Sequence, residues 1–94
     1  KIYSIEQFGD IRLANNYVFA GCNNLNLSGV TDTPNLSNNN SLYGMFYACS
    51  SLTSINNINS WITSGITDMG AIFYNATSFN QNIGNKYIFK IYIS

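Results

Sequence analysis

The chain has no histidine, only four acidic and four basic side chains, two cysteines, one proline and no long apolar run. Each shortage excludes something. Without histidine the commonest general base and metal ligand is missing. Charged residues make up 9% of the 94, against roughly 25% in an ordinary soluble domain. The cations Lys1, Arg12, Lys86 and Lys90 are too few and too scattered to form the basic stripe that nucleic acid requires. Glu6, Asp10, Asp32 and Asp68 never fall close together in sequence. A two-carboxylate hydrolase would have to gather them over long range, so catalysis is not expected. Two cysteines are few for a small scaffold that depends on disulfides. No stretch approaches the ~20 apolar residues of a spanning helix, and no transmembrane segment is expected.

Uncharged polarity stands where charge is missing. There are 16 asparagines and 17 serines and threonines beside a hydrophobic content of 46% and an aromatic content of 15%. That much apolar material is unlike a disordered tail, and the length suits one domain. Lys1 in place of an initiating methionine reads as a processed product or a fragment. Asn26, Asn35, Asn39 and Asn75 head N-x-(S/T) sequons. Composition alone yields about three such matches, so they do not argue for glycosylation.

Self-comparison shows a 27-residue repeat. Phe19, Phe46 and Phe73 share one register, as do Val18, Met45 and Ile72; Cys22, Cys49 and Ala76; and Leu25, Leu52 and Phe79. These nine residues, Phe19 to Phe79 without the Val18 set, with Phe46 and Phe73 central, are the expected repeat core. Leu42, Met45, Phe46 and Cys49 follow an i, i+3, i+4, i+7 spacing, and Met69, Ile72, Phe73 and Ala76 repeat it. The spacing predicts a short helix in each unit, with Ser41 and Asp68 at the N-cap positions. Extended pieces follow at Leu25–Leu27, Leu52–Ile55 and Phe79–Ile83. No such unit can bury its apolar face alone, whereas stacked units can. The expected fold class is α/β: a right-handed leucine-rich-repeat-like solenoid of about three coils, with short parallel strands and short helices on the opposite side. The chain reads as one repeat domain, with a strand or cap region at 1–17 and units at 18–44, 45–71 and 72–94, the last diverging after about residue 85.

The blocks MFYACSSLTSI (45–55) and IFYNATSFNQNIGN (72–85), joined by WITSGITDM (61–69), resemble the BspA-type leucine-rich-repeat surface proteins. The likeness runs roughly from residue 5 to 85. It implies secretion or cell-surface display, mostly in bacteria, with adhesion through a protein or glycan on a host or neighbouring cell. It carries no catalytic residues. This chain departs from the family pattern at Ile62, where the family has an aspartate, and after Lys86, where the repeat pattern ends.

Remaining features follow from register. Cys22 and Cys49 share a position, so stacking could bring them within disulfide reach. Ala76 at that position in the third copy favours two small, buried, free thiols instead. Further zinc ligands are absent, as are calcium-repeat patterns, so no metal or cofactor is expected. Tyr43, Tyr47, Trp61 and Tyr74 fall off the core register and are the candidate partner-binding residues, since exposed tyrosine and tryptophan anchor interfaces and stack on sugars. Tyr87, Ile88, Phe89, Ile91, Tyr92 and Ile93 form a strand-like edge near the C-terminus. Such an edge either caps the last coil or pairs with another chain. A non-enzymatic binding module is therefore the leading expectation, end-to-end self-assembly the second, and a carbohydrate-active enzyme a distant third.

Overall fold

A computed structural model of the chain describes residues 4–83. The strand-like edge Tyr87, Ile88, Phe89, Ile91, Tyr92 and Ile93 lies outside the described residues.

The fold is organised by how alternate amides are used. Along 42–49, the N–H groups of Leu42, Gly44, Phe46 and Ala48 donate to the carbonyls of Asp68, Gly70, Ile72 and Tyr74 at 2.8, 2.9, 2.9 and 2.6 Å. The amides between them turn back on their own segment. Met45, Tyr47 and Cys49 donate to Leu42, Gly44 and Phe46 at 3.1, 3.0 and 3.1 Å. The same alternation operates one copy earlier. Tyr17, Phe19 and Gly21 donate to Tyr43, Met45 and Tyr47 at 2.7, 2.9 and 2.7 Å, while Ala20 and Cys22 turn back to Tyr17 and Phe19 at 3.2 and 3.0 Å. Three rungs, 17–22, 44–49 and 71–76, are thus stacked in the 27-residue register.

The α-helix expected in each unit does not form among the described residues. The only helical element there is a 3-10 turn at Ile58–Ser60. Two causes are visible. An α-helix needs consecutive N–H groups to bond four residues back, but every second amide here is committed to the next rung. The backbone also enters the left-handed region twice per rung: φ is 56°, 63° and 51° at Tyr17, Gly44 and Ala71, and 75°, 60° and 58° at Gly21, Ala48 and Asn75. A right-handed helix cannot pass through such residues. The apolar spacing nevertheless identified the right side chains, because Leu42, Met45, Phe46 and Cys49 are all fully buried.

Away from the turn column, parallel pairing is reduced to single bridges: Ser4 with Asn26, Leu27 with Ile55, and Ser41 with Asp68. Leu25 and Leu27 point inward and Asn26 outward, the alternation of an extended segment. On this side most bonds run from the later copy to the earlier one, Thr31 to Glu6, Asn56 to Leu27, Thr67 to Asn40 and Asn80 to Thr53 at 2.8 to 3.1 Å, while Ile5 donates forward to Asn26 at 3.2 Å.

Neutral amides tie the copies together where ions would be costly to desolvate. The Asn15 side-chain oxygen accepts from Asn39 Nδ2 and from the backbone of Asn40 and Ser41. Asn39, buried, also donates to the Leu13 carbonyl at 3.0 Å. Asn56 donates to Val30 at 2.8 Å, and Gln81 clasps both backbone groups of Ile55.

Phenylalanines form the spine of the core. Phe19 stacks on Phe46 at 5.8 Å, Phe46 on Phe73 at 5.6 Å, and Phe73 on Phe79 at 4.0 Å. Of the nine repeat-core residues, Phe19, Leu25, Phe46, Cys49, Leu52 and Ala76 are buried, while Cys22, Phe73 and Phe79 pack against the core partly exposed. Trp61 corrects the sequence expectation. It is not a surface residue but 1% exposed, edge-on to Phe8 at 6.0 Å and tilted over Phe46 at 6.4 Å. Its connector crosses the core, so the largest side chain of the molecule fills the centre.

Candidate binding face

With Trp61 buried, the exposed aromatics gather on the flank of the turn column. Gly44 has positive φ and no side chain, which leaves room for the Tyr17 ring against its Cα; Gly70 makes the same room for Tyr43. Tyr17 then meets Tyr43 edge-on at 5.5 Å and Tyr47 at 6.0 Å, and Tyr47 stacks on Tyr74 at 5.0 Å. Four tyrosines from three rungs make one continuous strip. Tyr17 and Tyr74, from the first and last rungs, are 52% and 55% exposed, and Tyr43 and Tyr47 are half-buried.

The structure therefore brings three of the four predicted residues, Tyr43, Tyr47 and Tyr74, onto one face, removes Trp61 from it and adds Tyr17. Tyr17 escaped the sequence reading because Gly44 and Ala71 occupy its register position. Its cue was one residue away: Tyr43 directly precedes Gly44, and the rings pack across that offset. Desolvation, and after it the neighbouring Tyr43 and Tyr47 phenols, hold the Tyr17 hydroxyl above its ordinary value of 10.0. Tyr17 is therefore neutral at physiological pH.

Polar side chains elsewhere are largely committed to the backbone. Ser41 and Asp68, expected as helix caps, instead accept from the amide two residues on, Tyr43 at 3.2 Å and Gly70 at 2.9 Å. Their capping chemistry is retained, applied to a turn. Asp32 accepts from the Phe8 and Gly9 amides at 2.7 and 2.9 Å, which lowers its pKa from 3.8. Two sequon asparagines are similarly occupied: Asn26 accepts from Ser28, and Asn35 from the Ser37 amide. Both cysteines are free thiols. Cys49 donates to the Phe19 carbonyl at 3.0 Å, and burial pushes its pKa up to about 11. Among the described residues, no three His, Cys, Asp or Glu side chains gather at one point, and no helix is long and apolar enough to cross a membrane.

Residues 13–91 match the family model described as Mycoplasma protein of unknown function, DUF285. No curated protein and no solved structure matches the chain. The matched span contains all three rungs and the tyrosine strip, and it agrees at a coarse level with a bacterial surface-repeat family. By that match over most of its length, this 27-residue-repeat chain belongs to the DUF285 family.

Proposed function

We propose that the chain is a non-enzymatic binding module, a short right-handed solenoid of the BspA-like leucine-rich-repeat kind, secreted or displayed at a bacterial surface. Its partner is a protein or a glycan on a host or neighbouring cell. The observation that carries the reading is the strip of Tyr17, Tyr43, Tyr47 and Tyr74, contiguous across three rungs with Tyr17 and Tyr74 facing solvent. Tyrosine offers a large rigid ring with a polar tip, and so binds at small entropic cost. Two of the four carboxylates, Asp32 and Asp68, are occupied by backbone amides, which supports binding over catalysis.

Mechanistically, such a face uses neutral contacts spread over a surface. Binding should depend little on ionic strength, because no long-range charge steers it. The test is a glycan and matrix-protein array probed with the chain and with a Tyr17→Ala/Tyr74→Ala variant. Hits lost in the variant and kept at high salt support the reading. Hits that survive loss of both exposed rings, or that vanish with moderate salt, overturn it.

A further inference from the structure

Every bond between rungs of the turn column runs one way. Each N–H belongs to the earlier rung and each carbonyl to the later one. Among the described residues the column is therefore unpaired at its two ends in complementary senses. At the last rung, the N–H groups of Ala71, Phe73 and Asn75 occupy the positions of Gly44, Phe46 and Ala48, yet among the described residues they have no acceptor. At the first rung, the carbonyls of Asn16, Val18 and Ala20 occupy the positions of Tyr43, Met45 and Tyr47, and among the described residues they have no donor.

Apolar surface at the two ends is matched as well. Below the first rung lies a cavity of about 470 Å³ lined by Ile5, Phe8, Ile11, Leu13 and Phe19, with Ile11 59% exposed. The last rung carries the stacked pair Phe73 and Phe79 with Ile83, all partly exposed. Within the molecule, Phe19 stacks on Phe46 and Phe46 on Phe73 at nearly equal spacing. Phe79 stacks on the face of Phe73 away from Phe46, so Phe79 is the ring that the last rung offers to a further copy.

We propose that a second copy of this chain extends the ladder head to tail. Ala71, Phe73 and Asn75 donate to Asn16, Val18 and Ala20 of the second copy, and Phe79, the ring that covers Phe73, meets the second copy's Phe19. The contact joins unlike ends, so it repeats without closing and builds a chain of copies. Both monomer and assembly leave the tyrosine flank uncovered, so the inference stands or falls separately from the binding reading.

The register gives a sharp test. In the proposed contact position 76 stacks on the second copy's position 22, as Cys49 stacks on Cys22 within one copy. The variant Cys49→Ala/Ala76→Cys places one thiol at each end of the column. Within one molecule these are two rungs apart, roughly 10 Å at ~4.8 Å per step, beyond the ~4.4–6.8 Å disulfide window. Diamide takes up the two hydrogens as two thiols join, so any disulfide formed must link two molecules. We expect a ladder of covalent oligomers on a non-reducing gel, at least tenfold more abundant than from Cys49→Ala/Ser78→Cys, whose new thiol is off register. Equal cross-linking in the two variants, or none, overturns the proposal. Sedimentation velocity on the unaltered 94-residue chain supplies a measurement free of substitutions. A sedimentation coefficient rising with concentration, and lost in Ile11→Lys with the thermal midpoint unchanged, supports the ladder; a concentration-independent monomer overturns it.

Discussion

The Tyr17 ring lies against the Cα of Gly44, one rung on, so closely that a Cβ at Gly44 would sit 2.6 Å from two ring carbons. A glycine in one copy thereby seats an aromatic of the copy before it. The Gly44→Ala variant must both hold φ near 63° and push the ring away. Left-handed φ alone costs about 1–2 kcal/mol for a residue with a Cβ, and overpacking adds about 1–3 kcal/mol. We expect a clear fall in thermal midpoint for Gly44→Ala and almost none for Gly29→Ala, where nothing lies within 4 Å. Equal midpoints for the two variants would refute the seating role.

Replacing Ala48 by glycine should act the other way. Ala48 sits at φ 60°, and glycine relieves that strain while loosening the unfolded chain. A rise of up to about 1 kcal/mol in unfolding free energy, measured by urea titration, is the expected outcome. A loss of stability would mean that the Ala48 methyl contributes more by packing than its backbone costs.

Acid should weaken the first turn. Asp32 has a folded pKa below its ordinary 3.8 because it accepts from the Phe8 and Gly9 amides. A depressed carboxyl pKa contributes stability that is present above the unfolded value and lost as pH falls through the folded one. Between pH 6 and 4.5 the melting temperature should be unaffected by this group, and below about pH 4 it should drop. Asp32→Asn should show a shallower acid dependence. Parallel curves for the two proteins would remove Asp32 from the account.

The two thiols should react unequally. Cys49 is buried, bonded to the Phe19 carbonyl and held at a pKa of about 11, whereas Cys22 is partly exposed. Thiolate is the reactive form. Iodoacetamide on the native protein should therefore modify Cys22 first, with Cys49 modified only in denaturant. Peptide mass spectrometry after a timed quench reads both sites, and equal native rates would contradict the packing.

Repeat register was legible because side chains carry it: a phenylalanine fixed three times, a small residue at Cys22, Cys49 and Ala76, and apolar residues in between. What the sequence reading missed lies in the backbone. Tyr17, Gly44 and Ala71 share one unusual φ, as do Gly21, Ala48 and Asn75. Apart from the glycines and Asn75, none of these residue types announces a left-handed conformation. Apolar spacing of a helix and of a run of tight turns is alike over eight residues, so the inward faces were assigned well and the conformation was not. Trp61 was misplaced because a residue in a connector reads as surface, whereas this connector carries its ring between Phe8 and Phe46. The binding strip was three-quarters visible, and its missing member, Tyr17, lies one residue out of phase with Tyr43.

Alternation of amide use also limits how such a chain can change in length. From Leu42 to Cys49, even-numbered N–H groups reach the next rung and most odd-numbered ones close a turn. Inserting one residue there would exchange the two roles for everything downstream in the rung, breaking both sets of bonds at once. Adding or removing a whole 27-residue unit would disturb neither. Changes of a single residue are thereby confined to the connectors, where spacings between bridged positions already vary from 22 to 28 residues, while the rungs themselves should be gained or lost only whole.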